Sequence, residues 1–216
     1  MAPRSDARRN QATLVAAGRV VFAEQGTDAT LEEIARRAGL GIGTLYRHFA
    51  TREALVEAIY AEHIDEVAEA AERGVASDDP WEGLVGFLER TLELQAANLP
   101  LRDVFLRHPA GTGRIAERRR RIRLLLKRLV ARAHEQGTLR PDFTAADLTL
   151  ALWSFAPVLE ATAGIAPDAW RRHLRVLLDG MRAGAATPQR VHALTARQLE
   201  AAIETLRNRY HRRRAA

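Results

Sequence analysis

The 216 residues contain no cysteine, which excludes disulfides and thiolate metal sites. No apolar run approaches the roughly 20 residues that a membrane-spanning helix needs. The charged opening MAPRSDARRN leads into no apolar stretch of a secretory signal. A soluble, cytoplasmic chain with no membrane partner is therefore expected. Lysine is almost missing: Lys127 is the one lysine beside many arginines. The chain has no HExxH, P-loop, GxSxG or dinucleotide fingerprint. His63, His108, His134, His173, His192 and His211 stand without ligand spacing. No catalytic residues, no metal and no cofactor are expected. Sustained two-residue alternation of β-branched residues is also missing, which argues against strands.

Apolar residues make up 47% of the chain, enough for a core, and the net charge is +6. Arg207, Arg209, Arg212, Arg213 and Arg214 account for five of those charges, so the body before them is close to neutral. A nucleic-acid reading must rest on where cations sit and not on their sum. Three-and-four spacing of apolar residues predicts an all-α chain. A first helix runs from about Asp6 to Gln25, two short helices follow, and a long one spans about 52–73. Ser77-Asp78-Asp79-Pro80 breaks the chain and caps the helix carrying Trp81, Leu84 and Leu88. Further helices are predicted over about 114–136, 144–163 and 167–183, with a separate amphipathic helix at about 195–210.

Residues 30–49, TLEEIARRAGLGIGTLYRHF, concentrate the signal. Thr30 and Glu33 have capping-box spacing, and Leu31, Ile34, Ala35 and Ala38 then form one apolar stripe on a very short helix. Gly39 can end it in the left-handed conformation. Leu40 can plug inward, and Gly41 can open a second short helix whose Leu45 and Phe49 face the core. Ile42, Thr44, Arg47 and His48 then point mainly outward, with Tyr46 at the edge. Two short helices joined by a glycine turn form a helix-turn-helix, whose second helix enters the DNA major groove.

Here the sequence resembles the N-terminal domain of the tetracycline-repressor (TetR) family. The resemblance covers about residues 8–65, through Ala16, Ala17, Phe22 and Gly26, then IARRAG, GTLYRHF and Thr51-Arg52-Glu53-Ala54-Leu55. It implies a three-helix DNA-binding head over 1–51 and a larger helical ligand-binding and dimerisation domain over 52–186; the family architecture does not account for the extra amphipathic helix and basic tail over 187–216. Residue by residue, it implies that Thr30, Thr44, Tyr46 and His48 bind phosphates, that Ile42, Gly43 and Arg47 approach base edges, and that Arg52 holds the backbone. Gly41 stands where the family commonly has serine, leaving a backbone N–H in place of a hydroxyl. Arg47 is the candidate for a bidentate guanine contact, and Ile42 for a thymine methyl.

The same resemblance implies a homodimeric transcription regulator on a pseudo-palindromic operator, a repressor released by a small-molecule effector. Phe87, Phe105, Arg119, Trp153 and Glu160 are the candidate pocket residues. Pro157 lies inside an apolar helical run, where it removes a helix hydrogen bond. Arg118 to Arg121 spread around their helix at about 100° per residue, and Arg119 falls within about 40° of the stripe Ile115, Ile122, Leu126, Leu129 and Ala133. Dimerisation is assigned to the helices at 144–163 and 168–183, with the C-terminal helix as the second option. Two other classes stay open: a non-specific architectural DNA binder using the basic tail, and a small-molecule-binding enzyme.

Overall fold

The computed structural model describes residues 3–25, 29–97, 99, 114–185, 187 and 189–212. These residues form nine α-helices and a short 3-10 turn. The helices are α1 (Pro3–Gln25), α2 (Leu31–Arg37), α3 (Ile42–His48), α4 (Arg52–Ala76), α5 (Pro80–Ala97), α6 (Arg114–Glu135), α7 (Ala145–Thr162), α8 (Ala169–Met181) and α9 (Ala196–Arg212). Among the described residues, the one β-type pairing is an isolated bridge between Leu139 and Arg182, so the all-α expectation holds.

Two compact units result, Met1–His63 with Ala97–Leu106 and Ile64–Ala96 with Arg107–Ala216. The division falls within α4, between His63 and Ile64.

In the N-terminal unit, α1, α2, α3 and the start of α4 share one core. Leu14, Val21 and Phe22 of α1 meet Leu31 and Ile34 of α2, Leu45 of α3, and Leu55 and Ile59 of α4. Two seven-residue helices cannot hold their shape alone, because helix nucleation is unfavourable and they close few backbone bonds. Burial on the longer flanking helices supplies what they lack. Ion pairs add cross-ties at the surface, Arg37 with Glu24 at 3.0 Å and Arg19 with Glu62 at 3.6 Å.

The C-terminal unit builds its core from α5, α6, α7 and α8, with Trp81, Phe87, Leu129, Phe155 and Trp170 among its buried side chains. Asp79 caps α5, its Oδ1 accepting from the Trp81 N–H at 2.8 Å and the Glu82 N–H at 3.2 Å. Gln136 reaches back from the end of α6, donating to Asp79 Oδ1 and accepting from the Trp81 N–H. Thr144 and Asp147 form a capping box that starts α7. That helix runs on through Pro157, which sits on its exposed side. Arg140 ties the end of α8 to the chain beyond it. Its guanidinium pairs with Asp142 and donates to the carbonyls of Gly180 at 3.2 Å and Thr187 at 2.6 Å.

Candidate nucleic-acid interface

The turn between α2 and α3 follows from its residues. Thr30 Oγ1 accepts from the Glu33 N–H at 3.2 Å, and the Thr30 N–H donates to the Glu33 carboxylate at 2.9 Å. The Thr30 backbone N–H, followed by its hydroxyl, holds the Glu33 carboxyl below the usual range. Gly39 adopts φ +66, a left-handed conformation that costs glycine little and most other residues much more. The Leu40 N–H returns to the Ala35 carbonyl at 3.0 Å, and the Leu40 side chain packs against the core. Gly41 then precedes α3 with no side-chain cap, leaving the first N–H groups of the helix without intrahelical acceptors.

Helix α3 has two distinct faces. Leu45 and, just past the helix, Phe49 are buried, at 0% and 3% exposure. Ile42, Gly43, Tyr46 and Arg47 are exposed. They make two pairs four residues apart, Ile42 with Tyr46 and Gly43 with Arg47, and so lie on one side of the helix. Arg47 Nε donates to the Gly43 carbonyl at 3.2 Å, which lays the side chain along the helix. A Cβ added at Gly43 would meet nothing within 4 Å. The surroundings within the chain therefore give no reason for glycine at this exposed position.

Five site residues sit differently from their sequence assignment. Thr44 and His48 are half-buried because they flank Leu45, while Tyr46, placed at the edge, is among the more exposed. The Thr30 hydroxyl donates to Glu33 at 3.1 Å besides accepting its N–H, so it acts first as a helix cap. Arg52 Nη1 donates to the Ala29 carbonyl at 2.6 Å, and its guanidinium lies over the Phe22 ring. That arginine acts first as an internal tie.

Two cavities are lined by described residues, and of the pocket residues assigned from sequence Phe87 borders one of them. Phe87 is buried and floors a cavity of about 270 Å³ beside Ala70, Gly74 and Gly83. A second cavity, about 890 Å³, lies between Phe143, Val176, Leu177, Met181 and Val191, with His173 and His192 in its wall. Neither takes Arg119, Trp153 or Glu160. The reason is helical phase: Trp153 and Glu160 each follow a buried residue, Leu152 and Leu159, and so point about 100° away from it. Trp153 is half-buried, Glu160 exposed and Arg119 half-buried. Phe105 lies outside the described residues. The larger cavity escapes sequence reasoning because its walls come from three separate stretches of the chain, residues 140–147, 173–181 and 189–193.

Comparison with known proteins decides the family. Residues 14–59 match the model described as bacterial regulatory proteins, tetR family, and residues 79–183 match the SbtR-like transcriptional regulator C-terminal domain. A solved TetR transcriptional regulator of Streptomyces coelicolor is 33% identical, with TM-score 0.59, over 80% of this chain and 98% of that one. The chain belongs to the TetR family of transcriptional regulators. A TetR regulator of Mycobacterium vanbaalenii is similarly placed, 31% identical with TM-score 0.60 over 83% of this chain and 98% of its own. An HTH-type transcriptional regulator of Staphylococcus aureus is 33% identical over 101 residues, 44% of this chain and 52% of that protein. The match therefore spans about half the length of that curated relative. Among the described residues, no helix is long and apolar enough to cross a membrane.

Proposed function

We propose that this TetR-family chain is a sequence-specific, cytoplasmic DNA-binding repressor that works as a twofold dimer and leaves its operator when a small molecule binds. The observation that carries the reading is the outward face of α3, where Ile42, Gly43, Tyr46 and Arg47 are exposed on a helix whose other side is locked into the core. In the major groove, the Nη groups of Arg47 suit the paired acceptors of guanine, and Ile42 suits a thymine methyl. Tyr46, Thr44, His48 and the Gly41 backbone N–H serve the phosphates, fixing register without reading sequence. Thr30 and Arg52 hold the frame behind them.

The dimer reading rests on α7 and α8. In its eighteen residues α7 carries only two charges, Asp147 and Glu160. It leaves Pro157 and Ala161 exposed, and Val176 of α8 is 65% exposed. A helix so poor in charge calls for a cover, and two such helices from each copy would make a four-helix bundle. A dimer implies two half-sites about one helical turn, or a multiple of it, apart. The effector reading rests on family membership, and the cavity of about 890 Å³ falls within the size range of small-molecule sites.

Selection of bound duplexes from a random pool tests the function directly. Recovery of a pseudo-palindrome is the expected result. Binding that survives scrambling of every recovered sequence would replace this reading with a non-specific architectural one.

A further inference from the structure

Between Arg118 and Arg132, α6 carries eight cations and no acidic residue. Three are used within the C-terminal unit. Arg118 Nε pairs with Asp65 at 2.8 Å, Arg121 Nη2 pairs with Glu72 at 2.5 Å, and Arg132 donates to the carbonyls of Ser77 and Val75. Arg119 is half-buried and engaged. The four others, Arg120, Arg123, Lys127 and Arg128, are exposed and form no ion pair among the described residues.

Those four do not spread around the helix. At about 100° per residue they fall within an arc of about 140°, and at 1.5 Å per residue they span about 12 Å of axis. Leu124, 57% exposed, stands among them, and Leu125, Leu126, Leu129 and Val130 occupy the buried side. Acidic partners on α4 balance the charges of Arg118 and Arg121 and leave a pure cationic stripe, with Glu117 and Glu135 beyond its two ends. Like charges three and four residues apart repel one another, and an external polyanion would relieve that repulsion.

We propose that this stripe is a second, sequence-independent phosphate-binding surface that engages the DNA backbone. The chemistry favours DNA over an acidic protein or a lipid surface. Protein partners bind around buried aromatic or apolar anchors with charges at the rim, and membrane-surface helices need a broad apolar face. Here one leucine sits among four cations. Duplex DNA offers about one phosphate charge per 1.7 Å of axis, so an evenly charged stripe needs no particular register on it. The proposal rests on the head binding DNA, because tethering then presents phosphates to the second unit at high local concentration.

The test uses the full chain and two duplexes carrying the same operator, one ending at the operator and one extended by about two helical turns of scrambled DNA on each side. Affinity is measured by fluorescence anisotropy from about 50 to 200 mM salt for wild type, for Arg120→Gln/Arg123→Gln/Lys127→Gln/Arg128→Gln, and for Arg120→Lys/Arg123→Lys/Arg128→Lys. On the extended duplex, the slope of log K against log salt should fall by about 0.9 for each phosphate that the glutamine variant no longer neutralises. The lysine variant should keep the wild-type slope, because it keeps every charge. Equal slopes for wild type and the glutamine variant on both duplexes would overturn the proposal. So would an effect confined to binding of poly-glutamate, which would point to an acidic protein. If wild type shows no preference for operator over scrambled DNA while the slope still falls, the sequence-specific reading fails and the stripe stands.

Discussion

Arg52 Nη1 donates to the carbonyl oxygen of Ala29 at 2.6 Å, and its guanidinium carbon sits 5.4 Å from the centre of the Phe22 ring. The first residue of α4 thereby braces the segment that leads into α2, closing the helix-turn-helix from behind. A hydrogen bond from a charged donor contributes about 1.5–3 kcal/mol, and leaving its buried acceptor unpaired costs a similar amount. Arg52→Ala should therefore lower the melting temperature and weaken binding to operator and scrambled DNA by the same factor. A variant with unchanged melting temperature but weakened DNA binding would return Arg52 to a purely phosphate-binding role.

Arg47 and Tyr46 should separate in the opposite sense. Loss of a bidentate base contact costs about 1–3 kcal/mol and relaxes one position of the site. Arg47→Ala should then bind operators altered at one base pair as well as the parent sequence. Tyr46→Phe removes only a hydroxyl, so it should cost about 1 kcal/mol evenly across sequences, because phosphates look alike. Binding to a panel of single-base operator variants checks both. Wild-type discrimination retained by Arg47→Ala removes that residue from base readout.

The local features of this fold are legible in the sequence, and the long-range ones are not. Thr30-x-x-Glu33, Asp79 ahead of Trp81, and Gly39 each announce a cap or turn, and each appears where its chemistry requires it. Helix limits follow from such signals. Nothing in the spacing of arginines indicates that Arg118 and Arg121 find Asp65 and Glu72, or that Arg52 finds a carbonyl 23 residues away. Likewise, an aromatic residue on a helix reveals its face and not the cavity it borders. Phe87 reaches a cavity while Trp153 borders neither of the two.

Gly74 and Gly83 meet where α4 and α5 cross. A Cβ at Gly83 would lie 2.2 Å from the Gly74 carbonyl oxygen, a backbone atom with little freedom to withdraw. Gly83→Ala should destabilise the C-terminal unit by about 1–3 kcal/mol, as overpacking does. Gly86, one turn on, would place its Cβ in open space. Gly86→Ala should stabilise the chain by about 0.5–1 kcal/mol through helix propensity. Urea melts of the two variants check the pair, and equal effects would mean that the crossing is looser than its geometry.

Asp79 gives the stability a pH dependence with a defined sign. The Gln136 side-chain amide, then the Glu82 and Trp81 backbone N–H groups, hold the Asp79 carboxyl below its ordinary value of 3.8. A carboxyl whose folded pKa lies below its unfolded one binds fewer protons in the folded state. Its contribution is complete above the unfolded pKa and disappears as pH falls through the folded pKa. Asp79→Asn keeps a side-chain oxygen that can cap α5 but cannot titrate. Wild type should therefore melt above the variant at neutral pH, and the gap should close as pH falls below about 4. Melting temperatures of both proteins across that range decide the matter. A gap that stays constant down to acidic pH would mean that the charge on Asp79 plays no part, and that the cap works through hydrogen-bond geometry alone.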